Sequence, residues 1–347
     1  MKDISTRYST VDVLKGVAIL FVIFNHYAWS EEQRLIPFFP YIINMAVPVF
    51  MMISGYVLTA SLEHRNIESL SDCYDRNILI KRFLRYSVPY FIICFWEILD
   101  PFIDIGKGSI LEYIRWVING TEGQGSYYYP LLIQLITAFP LIFFTIRKKR
   151  KNGLIICFFI NAVYEILVWS YGVPEDIYRL LVFRYTFLLA AGAYAYYESL
   201  PIRSSIILSV FGAAFITLTT YLGYQTRIIK YWTNTCFIST MMVVPTVSYL
   251  IRLTTLTFHP LELIGRASYN IYLVQLVFFF GYSGRVYRFI DNIWLRLLIV
   301  MVFNVILGIL FYFIEAPFTK KLTTILTKRP MRREGSGDHQ TGSRIGN

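Results

Sequence analysis

Lys15 and His26 stand eleven residues apart in an otherwise apolar run, Ser9 to Ser30, STVDVLKGVAILFVIFNHYAWS. A helix turns about 100° per residue, so eleven steps make about 1100°, three turns plus roughly 20°, over a rise of about 16 Å. Both side chains therefore leave one face, one near each end of a stretch long enough to cross a bilayer. Ionisable groups inside a span are costly and usually face a protein interior or a wet cavity, which marks a functional face. The plainer reading has Lys15 snorkelling to one interface and His26 sitting wet at the other. A second spaced pair, Arg82 and Arg85, lies three apart in KRFLRYSVPY and shares a helix face. Paired guanidinium groups match phosphate oxygens with a fork geometry, so the pair reads as an anion clamp, or as a topology signal or lipid-headgroup contact.

The elements that must position these residues are membrane helices. Of the 347 residues, 56% are apolar, 18% aromatic and only 16% charged, far from soluble-domain averages. The apolar residues come in runs of about 20, the length of a transmembrane helix. The expected fold is all-α and integral to the membrane, with ten transmembrane helices near 11–29, 38–60, 82–99, 127–146, 153–171, 178–198, 204–224, 232–251, 262–283 and 294–315. With the N-terminus inside, 21 of the 33 Lys and Arg residues fall on the inner side and nine on the outer side, which sets both termini in the cytoplasm. The net charge of +11 sits in the connections between spans, and no zinc-finger or aromatic-basic RNA motif accompanies it, so nucleic acid is not an expected partner. Cys73, Cys94, Cys157 and Cys236 lie too far apart for a metal spacing or disulfide framework, and no metal is expected. Residues 1–327 form one membrane domain, and the polar tail 328–347 is expected to be disordered. The first span has a basic start and a small-x-small Ala28-Trp29-Ser30 end, but Lys15 and Asn25-His26 argue against a cleaved leader.

Local signals refine this picture. Ser9 and Asp12 resemble a capping box with Asp in place of Glu, and Asp12 can also pair with Lys15 three residues on. Ser54-Gly55 in the second span leaves a small-residue patch for close helix approach, and Pro89 is expected to kink the third span. The connection 100–126 holds an amphipathic piece, Ile110–Ile118, and an Asn119-Gly120-Thr121 sequon. Tyr127, Tyr128 and Tyr129 fit an aromatic belt at the outer interface better than a sugar-stacking surface. Glu165 and Arg184 fall inside apolar segments and are candidates to pair across helices.

Six motifs in order resemble the bacterial acyltransferase family 3, membrane O-acyltransferases. They are the Lys15-x10-His26 step, Ser54-Gly55-Tyr56, Arg82-x-x-Arg85, the Tyr-Tyr…Ile-Gln-Leu…Phe-Pro run of span four, Ile264-Gly265-x-x-Ser268-Tyr269-x-x-Tyr272-Leu273, and Glu315-x-Pro317. The resemblance covers about residues 8–320, and it departs at Gln275, where many members carry His. It implies a multi-pass protein of the bacterial plasma membrane that moves an acyl group, commonly acetyl, from cytoplasmic acetyl-CoA to a carbohydrate hydroxyl at or beyond the bilayer. The acceptor would be a surface or exported polysaccharide or its precursor, in the cell envelope. On that reading His26 is the general base, and Lys15, Arg82 and Arg85 hold the phosphates and pantetheine arm of the donor. A carrier or flippase without chemistry, and a non-catalytic partner of a polysaccharide-synthesis complex, are the rival classes.

Overall fold

A chain in lipid must satisfy each backbone N–H and C=O internally, and helix does so within one segment. The computed structural model describes residues 4–99, 110–119, 126–222, 237–253 and 255–327, and among these every regular element is helical. The principal helices are α1 (Ile4–His26), α2 (Ala46–Glu63), α3 (Arg76–Leu99), α4 (Tyr128–Tyr171), α5 (Thr186–Tyr197), α6 (Ile202–Thr220), α7 (Val243–Leu253), α8 (His259–Arg266), α9 (Ser268–Val277) and α10 (Ile293–Thr327). The tail 328–347 and the sequon's Gly120 and Thr121 lie outside the described residues.

Five helical runs are long and apolar enough to cross a membrane: Ser9–His26, Phe38–Glu63, Tyr128–Tyr171, Ile202–Thr220 and Ile293–Thr327. A sixth is the pair His259–Arg266 and Ser268–Phe289, bent by 64°. This is fewer than the ten expected, for identifiable reasons. The 44 residues of α4 pass through one non-helical residue, Arg150 (φ 45°, ψ −116°). A Cβ on Gly153 would stand 2.6 Å from the Thr145 carbonyl oxygen, eight residues back. In a straight helix that offset is about 12 Å. α4 therefore doubles back at Arg150, and its two legs cover the stretches of the fourth and fifth expected spans. α3 begins with a cluster of charges, α5 is only 12 residues long, and the eighth stretch starts outside the described residues.

The reversal at Arg150 is tied down by its own basic residues. Arg147 meets Glu63 at 3.3 Å and donates to the Ile67 carbonyl. Arg150 lies 3.6 Å over the Tyr197 ring and 3.8 Å from Glu198. The same Tyr197 hydroxyl donates to Glu63. The ends of α2 and α5 and the reversal of α4 thus share one polar knot.

α1 is central, in contact with α2, α7, α8, α9 and α10. Its contact with α8 is backbone to backbone. A Cβ on Gly16 would overlap the Leu261 carbonyl, and one on Gly265 would overlap the Asp12 carbonyl. Gly265→Ala is therefore expected to destabilise the fold by about 1–3 kcal/mol, as overpacking does. A lowered thermal midpoint of the purified protein, by tryptophan fluorescence, checks this. The small-residue patch of α2 behaves similarly: Gly55 faces the Leu189 carbonyl, and Gly192 of α5 faces the Met52 carbonyl.

The expected cap at Ser9 is not a cap. The helix already begins at Ile4, so Ser9 is interior to it. Its hydroxyl donates to Glu262 at 2.6 Å and lies 3.1 Å from the Leu256 carbonyl, fastening α1 to α8 and to the segment before it.

Candidate active site

Between α1, α2, α3, α4, α9 and α10 lies a cavity of about 840 Å³, and Lys15, His26, Arg82 and Arg85 all line it. α1 contributes Asp12, Lys15, Ile19, Val22 and His26, a strict alternation of three and four residues that keeps one helix face on the cavity. The expected shared face of Lys15 and His26 is this wall. α2 contributes Val47, Phe50, Ser54, Val57, Leu58, Ser61 and, just past its end, Arg65, again along one helix face.

The Lys15 end is strongly cationic. Arg65, Lys81, Arg82, Arg85, Arg266 and Lys320 join Lys15 there, against two lining carboxylates, Asp12 and Glu315. Lys15 Nζ donates to Asp12 at 3.2 Å, and both side chains are about one-fifth exposed, so the pair is held at the cavity wall. Arg85 is exposed, with its guanidinium 5.9 Å over Tyr86. Arg82 differs: both terminal nitrogens are buried and neither has a hydrogen-bond partner. A buried cation without a counter-charge is expensive, and its open donors make Arg82 the best-placed anion ligand in the wall. Glu315 is buried, accepts from Asn270 Nδ2 at 3.2 Å and from the Thr319 hydroxyl. The motifs of spans nine and ten therefore meet at the cavity.

His26 sits at the last turn of α1, where helix carbonyls need partners. Arg34 supplies them: its guanidinium donates to Asn25 Oδ1 at 3.0 Å, the Asn25 carbonyl at 3.0 Å and the Tyr27 carbonyl at 3.5 Å. Burial pushes the Arg34 guanidinium below its ordinary value, but arginine remains charged. Tyr27 donates to the Ile293 carbonyl at 3.2 Å and accepts from Arg296 at 2.6 Å, pinning the same turn to α10. Phe279 packs edge-on against the His26 ring at 6.0 Å. Arg34→Ala is expected to free this turn and lower the thermal midpoint of the purified protein, with Arg34→Lys recovering part of the loss.

The tyrosines at the start of α4 are not an interfacial belt. Tyr127 and Tyr128 line the cavity with Tyr86, Tyr269, Tyr272 and Tyr312. Tyr129 is buried, stacked on Tyr90 at 3.6 Å and hydrogen-bonded to Ser87 at 3.0 Å. Interior aromatic partners outcompete the interface here. Glu165 and Arg184 are both buried and away from the cavity, and they meet through Tyr178. The Tyr178 hydroxyl donates to Glu165 at 2.9 Å, and Arg184 lies 4.5 Å over its ring.

Arg65, Arg266 and Lys320 enter the site although their position in the sequence marked them only as inner-side charges. Arg65 had a legible signal, the three-and-four spacing from Ser54 through Ser61. Among the described residues no three His, Cys, Asp or Glu side chains gather as a metal-holding group. No curated protein and no solved structure matches the chain. The family model for the acyltransferase domain of acyltransferase family 3 matches residues 8–313, nearly the whole chain and every residue of the cavity up to Tyr312. A chain matched over that length, with helices long and apolar enough to cross a bilayer, belongs to the acyltransferase 3 family of membrane acyltransferases.

Proposed function

We propose that this protein transfers an acetyl group from cytoplasmic acetyl-CoA to a hydroxyl of a carbohydrate destined for the cell envelope, in the bacterial plasma membrane. The observation that carries this reading is one shared cavity whose α1 wall runs from a cationic end to His26. Arg82, Arg85 and Lys15 bind the donor's phosphates, Arg82 through its open guanidinium nitrogens. The pantetheine arm lies along the tyrosine-rich wall, and the thioester reaches His26.

A sugar hydroxyl is a weak nucleophile and needs a base; a positioned His contributes about 10²–10⁴-fold. His26 takes the hydroxyl proton as the oxygen attacks the thioester carbonyl. The tetrahedral oxyanion collapses, the C–S bond breaks, and the leaving thiolate recovers the proton from His26. Lys15 lies a rise of about 16 Å from His26, so it serves the donor's phosphates rather than the oxyanion.

Purified protein in lipid nanodiscs, given radiolabelled acetyl-CoA and a panel of sugar acceptors, tests the reading. Label on an acceptor supports it. Passage of unmodified glycan across vesicles, with no label transferred, would assign the chain to the carriers instead.

A further inference from the structure

Buried side-chain atoms near the His26 end that lack hydrogen-bond partners include four on three residues: His26 Nδ1, Gln275 Oε1 and Nε2, and Asn304 Oδ1. Gln275 and Asn304 are wholly buried, at 0% exposure. Three observations place them together. Gln275 lies within interaction range of His26, and Phe279, one turn further along the same face, touches the His26 ring. α9 and α10 run antiparallel, with Asn270 bonded to Glu315, Ile271 against Gly308 and Phe278 at 5.6 Å from Phe303. That register sets Asn304 level with Gln275. Asn304 is also oriented, because its Nδ2 donates to the Val300 carbonyl at 2.8 Å and leaves Oδ1 as the open acceptor.

The four atoms pair by type with none left over. Asn304 Oδ1 accepts from Gln275 Nε2, which turns Gln275 Oε1 toward His26 as the acceptor for an Nδ1 proton. We infer that Gln275, held by Asn304, is a positioning residue that fixes the His26 ring as its Nδ1–H tautomer, leaving Nε2 bare toward the cavity as the base. The inference rests on the acyl-transfer reading for the purpose of that base. The hydrogen bonds are not closed in this structure; catalytic hydrogen bonds often tighten only once substrate is bound. An amide in this place sets the tautomer without adding charge, so His26 stays neutral and able to accept a proton. The hydrogen bond at one ring nitrogen sets which nitrogen of a His carries the proton; around metal-ligating His the loss of such an outer partner typically costs 10–100-fold, and an effect of that order is expected here.

Solid-state NMR on ¹⁵N-histidine-labelled protein, with His26→Ala identifying the signal, reads the tautomer without substrate. The expected result is Nδ1–H in the wild type, and a shift to mixed or Nε2–H forms in Gln275→Leu. In the transfer assay Gln275→Leu is expected to lose about 10–100-fold in kcat, with donor KM within about twofold. Gln275→Glu, which retains an acceptor for Nδ1–H but adds a charge and loses the donor to Asn304, is expected to keep Nδ1 protonated without recovering the wild-type rate. Asn304→Leu, which removes only the far end of the relay, is the second variant and is expected to lose several-fold in kcat. A wild-type Nε2–H tautomer, or full kcat in both Leu variants, overturns the inference. Absence of transfer by the wild type would instead overturn the acyl-transfer reading, while the tautomer still decides the relay.

Discussion

Replacing His26 with alanine is expected to lower acyl transfer by about 10²–10⁴-fold, the contribution of a positioned general base. Donor binding should survive, because the cations that line the cavity lie at its other end, a rise of about 16 Å along α1. The helix should survive as well, since alanine is the strongest helix former and the turn is held by Arg34 and Tyr27 rather than by the imidazole. The assay therefore needs two measurements on one preparation: acyl transfer to an acceptor, and retention of CoA by equilibrium binding. Loss of the first with the second intact supports the assignment. Transfer at the wild-type rate by His26→Ala protein would remove His26 from the mechanism.

Arg82→Ala and Arg85→Ala are expected to raise donor KM with little change in kcat, and unequally. Hydrogen bonds to charged groups contribute about 1.5–3 kcal/mol each, or about 10–100-fold in affinity. Arg82, whose buried nitrogens have no protein partner, should give the larger effect. Arg85 is exposed, and its contribution is screened by solvent and salt. The double variant should approach 10³-fold if the two act independently. A donor that lacks the nucleotide phosphates, such as acetyl-pantetheine, supplies the control: it should bind the wild type poorly and be nearly indifferent to either substitution. An equal penalty on both donors would show that the arginines support the fold rather than hold phosphate.

Much of the site could be read from residue spacing, since a helix converts sequence intervals directly into faces. Lys15 to His26, Asp12 to Lys15, and Arg82 to Arg85 all lie within one helix, and each interval holds in the structure. The close approach at Ser54-Gly55 was legible for the same reason, because only the absence of a side chain was needed. What was not legible depends on contacts between distant segments. Ser9 has the local chemistry of a cap, but Glu262 and the Leu256 carbonyl, about 250 positions away, claim its hydroxyl. Tyr127 and Tyr128 have the composition of an interfacial belt, and only the docking of α9 shows that they face a cavity. Arg34 looked like an outer-side charge; a break in the helix after His26 lets it return to Asn25. The reversal at Arg150 was expected as a connection, but a single non-helical residue, Arg150, is enough to make it.

Because Lys15 and His26 ride on one unbroken helix, the interval between them cannot stretch or shrink without breaking backbone hydrogen bonds. On the proposed reading, α1 is a fixed ruler laid beside the donor. It would then measure the length of the donor's arm rather than the identity of the acyl group, bringing the thioester into register by reach. Selectivity for the acyl group would fall to the residues beyond the end of the ruler, around Phe279 and the turn that Arg34 holds.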